Sequence, residues 1–298
     1  MSDGRVPAVP VRAAAGFPGA VPPWGLAAAG IAFLSVMDGV VKELAPLFPV
    51  LQLTFLRFLA TACIVGPFVF RRVPVPGRAA MRGYLVRGVL IAASSLGFFY
   101  GLGRLPLAEV FALSYLAPIL VALLAPAMLG ERPSAAVFAA LGLGFAGVLL
   151  TVVGGLDLQA PAPERLAGAA AVLASALTYA LAVVLLRRQA QTEPAALIVL
   201  FQSVVPALLL AVPAGLAWAP VDLRSAWLLA VVGALGVAGQ LALAHAFARG
   251  EASRLVALEY TGFVWAALIG LAVFGEVPGP ATLAGAALVV AGCLLVRR

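Results

Sequence analysis

The chain has 298 residues, 64% of them hydrophobic and only 10% charged, with a mean hydropathy of +1.12 and a formal net charge of +7. That much apolar surface cannot be hidden inside a water-soluble core, so the composition excludes a soluble fold and points to a lipid bilayer as solvent. The positive balance comes from short Arg punctuation between apolar runs, without interleaved aromatics, so nucleic acid is not an expected partner.

Residues 1–23, rich in Ala, Pro and Gly with Arg5 and Arg12, predict a short disordered tail rather than a domain. A membrane-crossing helix needs about 20 apolar residues. Ten segments between clusters of charge, Pro and Gly meet that need: 24–43, 49–70, 82–102, 107–128, 134–153, 165–186, 194–216, 225–247, 252–274 and 279–296. The first has no convincing small-residue cleavage site and reads as a retained span rather than a removed signal peptide. The apolar runs are too long and continuous for barrel strands. The expected class is therefore all-α and integral to the membrane.

Polar side chains are few inside these spans, and each is costly in hydrocarbon unless it meets a partner or water, so they are the functional candidates. In the first span Asp38 precedes Lys42 by one turn. The pair reads either as an i,i+4 salt bridge near the outer mouth or as a gate with a proton-sensitive carboxylate. Arg57, midway along the second span, is suited to pairing with a neighbouring helix or to capturing a substrate carboxylate. Ser94 and Ser95 lie in the third span and Gln240 in the eighth, where interhelical hydrogen bonding is the alternative to substrate contact. Tyr115 in the fourth span and Tyr260 in the ninth are expected to line a cavity from opposite sides, or else to be core residues. Trp265 is a further cavity candidate, and Glu259 a candidate for coupling. Pro118 interrupts the fourth span and is the expected hinge. Arg87 is counted among the cytoplasmic charges.

His245 reads as an interfacial residue. One histidine and two separated cysteines give no metal site, and no cofactor is expected. Cys63 and Cys293 read as buried free thiols rather than a disulfide. Trp24, Trp218 and Trp227 lie near span ends, as an interfacial aromatic belt requires. Gly97 with Gly101, Ala140 with Gly144, and Gly142, Gly147, Gly285 and Gly292 predict close helix packing. The fifth and tenth spans are thereby candidates for scaffold or homodimer faces.

Shifting the sequence by 145 residues aligns its second half with its first without a gap: Gly130-Glu131-Arg132-Pro133 falls on Gly275-Glu276-Val277-Pro278, Tyr115 on Tyr260, Arg104 on Arg249, Pro49 on Pro194 and Lys42 on Arg187. Two units follow, 24–153 and 154–298. With five spans each, the second must enter the membrane the opposite way round, an arrangement that places binding sites between the halves of transporters. Fourteen basic residues fall on one side and four on the other, which sets both termini in the cytoplasm by the positive-inside rule.

The stretch Met37-Asp38-Gly39 with Lys42, Pro49 followed by Arg57, Leu113 to Pro118, and the repeated Gly-Glu-x-Pro turn together resemble the EamA family of the drug/metabolite transporter superfamily. The resemblance covers nearly the whole chain after residue 24. It implies a ten-helix inner-membrane transporter with a central cavity, commonly an exporter of amino acids, related metabolites or drugs, similar to bacterial aromatic amino-acid exporters. The second repeat departs from the first, with Phe263 in place of Pro118 and Gln202 in place of Arg57. The expected function is secondary export of small amphipathic metabolites, foremost amino acids including aromatic ones, by alternating access. The alternatives are a carrier for a nucleotide-derived or quaternary compound and an integral-membrane enzyme. For the enzyme, no nucleophile, base and oxyanion set is evident.

Overall fold

A computed structural model describes residues 21–72, 76–102, 104, 110, 113–153, 162–275 and 279–296. The predicted tail up to residue 20, Glu276-Val277-Pro278 of the second Gly-Glu turn, and Arg297 and Arg298 lie outside the described residues. Among those described there is no strand. The helices are α1 (Pro23–Leu44), α2 (Val50–Arg72), α3 (Arg78–Leu102), α4 (Ala117–Leu129), α5 (Ala135–Val153), α6 (Ala162–Ala190), α7 (Ala195–Gly215), α8 (Leu223–Arg249), α9 (Ala252–Leu255), a 3-10 segment (Val256–Tyr260), α10 (Thr261–Phe274) and α11 (Pro280–Val296). Among the described residues seven stretches are long and apolar enough to cross a membrane, and the shorter apolar helices Ala117–Leu129, Ala135–Leu150 and Leu283–Leu295 fall in the fourth, fifth and tenth expected spans.

Local chemistry sets the ends. Pro23 opens α1, where a missing N–H costs nothing. The Asp222 carboxylate caps α8 by accepting from the Ser225 N–H at 2.9 Å. Gly130 and Gly275 end α4 and α10 with φ of +70° and +67°, left-handed conformations that a side chain rarely adopts. This explains the glycine of the repeated turn.

The main packing partners join one half of the chain to the other. α1 packs on α8, α2 on α7, α3 on α6 and α5 on α11. Exchanging the halves leaves this scheme unchanged, since α1 with α8 becomes α6 with α3. The α5–α11 crossing shows the same reciprocity at atomic scale: a Cβ on Gly147 would lie 2.5 Å from the Gly285 oxygen, and one on its repeat mate Gly292 would lie 2.8 Å from the Ala140 oxygen. These small faces are consumed within the chain. At this crossing the small residues act as scaffold, because two backbones at this distance admit no third helix between them. Gly97 similarly seats α3 against the Ala171 oxygen of α6, where a Cβ would come within 2.7 Å.

At one end of the bundle Arg224 donates to Glu43 at 3.0 Å across the α1–α8 pair, with both side chains largely exposed. At the opposite end Glu131 is nearly buried and serves four helices. It pairs with Arg187 of α6 at 3.0 Å and accepts from the Ala252 and Ser253 N–H groups that open α9, at 3.2 and 3.3 Å. Arg187 also donates to the Phe247 oxygen of α8 at 2.5 Å. The glutamate of the first Gly-Glu turn is thus a clamp joining the ends of α4, α6 and α8 to the start of α9.

Candidate functional site: a charged cavity between the halves

A cavity of about 290 Å³ lies between the halves, lined by groups from α1, α2, α3, α6, α7, α8 and the 3-10 segment. Asp38, Arg57, Arg87, Ser94 and Ser95 come from the first half, and Tyr179, Gln202, Gln240 and Glu259 from the second. Apolar walls are supplied by Leu34, Phe58 and Phe247 among others. Six of the candidate residues, Asp38, Arg57, Ser94, Ser95, Gln240 and Glu259, are therefore brought together, although they are spread over 222 positions of sequence between Asp38 and Glu259.

The charged groups differ in how they are held. Asp38 is open to the cavity and its charged neighbour is Arg57 of α2, not the expected Lys42. Asp38 lines the cavity and Lys42, one turn further along α1, does not. Neither Asp38 nor the Arg57 guanidinium has a hydrogen-bond partner among the described residues, and Arg57 rests over the Phe58 ring at 4.9 Å. Glu259 accepts from the Tyr179 hydroxyl at 3.2 Å. Ser94 lies 3.2 Å from Ser175, hydroxyl to hydroxyl, and its backbone oxygen accepts from Ser175 at 2.7 Å, so the interhelical role also holds for this residue.

Arg87 requires a correction. Rather than joining the cytoplasmic charges it lies within α3, 4% exposed, on the cavity wall. Its Nε donates to the Ala182 oxygen at 3.0 Å and its Nη2 to the Gln202 side-chain oxygen. Removing one charge from the larger group leaves the charge bias intact. Arg87, Tyr179 and Gln202 were the functional candidates that sequence reasoning missed. For Gln202 a signal existed, as the repeat mate of Arg57.

Tyr115 and Tyr260 meet, but not across the cavity. Their rings stack with centroids 5.4 Å apart and 21° between planes, and the Tyr260 hydroxyl donates to the Tyr115 backbone oxygen at 2.9 Å. Tyr260 is 1% exposed and fills the space left by Gly144, and neither tyrosine lines the cavity. Both sit where their spans break: Tyr115 in a turn before α4, and Tyr260 at the end of the 3-10 segment before α10. Pro118, at the start of α4, supplies no N–H to the preceding turn. The Tyr260 hydroxyl satisfies the Tyr115 carbonyl, which lies in the turn outside α4. Tyr260→Phe should lower stability by about 1 kcal/mol, the net worth of one hydrogen bond, with substrate affinity unchanged in a binding titration. A tenfold loss of affinity would return the pair to the substrate site.

Trp265 is 36% exposed on α10 and does not line the cavity. The His245 Nδ1 lies 2.7 Å from the Leu241 oxygen of its own helix. Both cysteines are free, with Cys63 exposed rather than buried as expected. Trp24, Trp218 and Trp227 are exposed near helix ends, as the belt requires.

Helices long enough to cross a membrane, a fold built from two matched halves, and a charged cavity between them define a membrane carrier for small molecules. The chain belongs to the EamA-like transporter family, which matches residues 23–153 and 166–298. It is similar to the pseudopaline exporter CntI of two Pseudomonas aeruginosa strains, 30% identical over 270 residues, covering 89% of this chain and 92% of the relative. It is also similar to an uncharacterized transporter of Helicobacter pylori, 24% identical over 278 residues and covering 88% of this chain and 89% of the relative. A crystal structure of 21% identity superposes with a TM-score of 0.78 over 92% of this chain and 95% of that one, which bears on the fold alone.

Proposed function

We propose that the protein is a secondary exporter of the inner membrane that moves small zwitterionic metabolites of the amino-acid type by alternating access. The observation that carries this reading is the cavity, where Arg57 and Asp38 present neighbouring opposite charges, neither with a hydrogen-bond partner among the described residues, to one shared space. A carboxylate facing Arg57 and an ammonium facing Asp38 complete both groups. Phe58 and Phe247 give the apolar part of a solute a place to lie. The similarity to a protein named as an exporter supports the outward direction. An aromatic preference does not draw on the tyrosine pair, whose rings cover each other.

In this reading the units 24–153 and 154–298 are inverted repeats that rock about the broken fourth and ninth spans, with Pro118 at the hinge and both termini cytoplasmic. Glu259, already held by Tyr179, is the coupling carboxylate if protons drive export. The test is counterflow in proteoliposomes loaded with a panel of amino acids, with and without a pH gradient. Arg57→Gln and Asp38→Asn should each cut flux by about tenfold or more, since each removes a charge-assisted hydrogen bond. Wild-type flux from both variants would overturn the assignment of the cavity as the substrate site.

A further inference from the structure

The state of Arg87 deepens this reading and rests on it. A guanidinium carries five N–H donors in a fixed plane. Two are taken, by the Ala182 oxygen and by Gln202, and the remaining three have no acceptor among the described residues. The residue is 4% exposed and lines the cavity, the space its remaining donors can reach. Its two bonds come from α6 and α7, which hold the guanidinium plane in place from two sides. A buried cation with open donors is costly unless something negative meets it.

Counting the unfilled groups then specifies a ligand. On the acidic side Glu259 is already engaged by Tyr179, which leaves Asp38 as the carboxylate without a hydrogen bond. On the basic side both Arg57 and Arg87 have donors to spare. The cavity therefore holds two guanidinium groups that separate anions can reach, and in Asp38 a carboxylate without a hydrogen bond for an ammonium. We infer that the preferred substrates carry one ammonium and two carboxylates, with Arg57 and Arg87 as separate anion subsites and Arg87 as the residue that selects for the second carboxylate. A monocarboxylic amino acid of equal size would leave Arg87 unmet, and polar groups left unpaired discriminate strongly.

Glutamate and glutamine make the comparison clean, because they share length and shape and differ only in the second carboxylate. Binding of both, with alanine as a reference, is measured on the purified full-length protein by competition and by thermal shift at neutral pH. Wild type should bind glutamate at least about tenfold more tightly than glutamine, as expected for one charge-assisted hydrogen-bonded contact. Arg87→Gln should bring that ratio close to one, and Arg87→Lys should retain part of it. Equal wild-type affinities, or an Arg87→Gln protein that keeps the ratio, would overturn the inference while leaving the amino-acid reading standing. If none of the three amino acids binds, both fall. The wild-type ratio needs no variant, so poor folding of an Arg87 substitution does not blunt the test.

Discussion

Replacement of Glu131 by Ala is expected to destabilise the protein by about 3–5 kcal/mol, the loss usual when one member of a buried ion pair is removed and the other is left behind. Arg187 and Glu131 are only 12% and 9% exposed, so neither can be rescued by solvent without local opening. Beyond the ion pair, the carboxylate meets two backbone N–H groups at the start of α9, and the deletion orphans those as well. Glu131→Gln should cost less, because an amide oxygen still accepts from α9 while the charge is gone. Unfolding in detergent at fixed lipid content gives both values, and a double-mutant cycle with Arg187→Met isolates the pair. A loss under about 1 kcal/mol for Glu131→Ala would show that the clamp is replaceable.

The second large effect is expected at the α5–α11 crossing. Gly292→Leu should cost about 3 kcal/mol, the upper end of overpacking penalties, because the new side chain meets the backbone oxygen of Ala140 and not the yielding tip of a side chain. Gly147→Leu should match it, since the Gly285 oxygen stands in the equivalent place. Gly142, on the same helix, has nothing within 4 Å, and Gly142→Leu should fall within about 0.5 kcal/mol of wild type. The measurement is the thermal midpoint of each variant. Similar midpoints for Gly142 and Gly292 variants would mean that the helices part freely at their crossing.

The architecture was legible because its two signals are physical and repeated. Apolar runs of span length mark where helices go, and a gapless match at an offset of 145 residues marks two copies of one unit. The candidate site was legible in part. Asp38, Arg57, Ser94, Ser95, Gln240 and Glu259 were visible as polar groups in apolar surroundings, and they share one cavity. Arg87 was hidden by its position near a span end, where charge usually reports topology, and only the packing of α6 and α7 around it reveals otherwise. The tyrosine pair shows the opposite failure. The repeat mates Tyr115 and Tyr260 do meet, but sequence does not say whether a solute or a bare ring contact fills the space between them. The role of Glu131 was half visible, since the recurring turn marked the residue while its partners in α6 and α9 lie 56 and 121 positions away.

The cross-half pairing of helices also bears on how this protein is made. α1, α2, α3 and α5 each find their main partner in a helix that leaves the ribosome later, with α1 waiting for α8 and α5 for α11. The first five segments therefore enter the lipid as individually stable helices with few neighbours, and assembly proceeds as α6, α7 and α8 arrive and is complete only when α11 reaches α5. Premature termination after the first half should leave a product with no bundle to join and good reason to be degraded, and co-expression of the two halves as separate chains becomes a natural way to rebuild the whole.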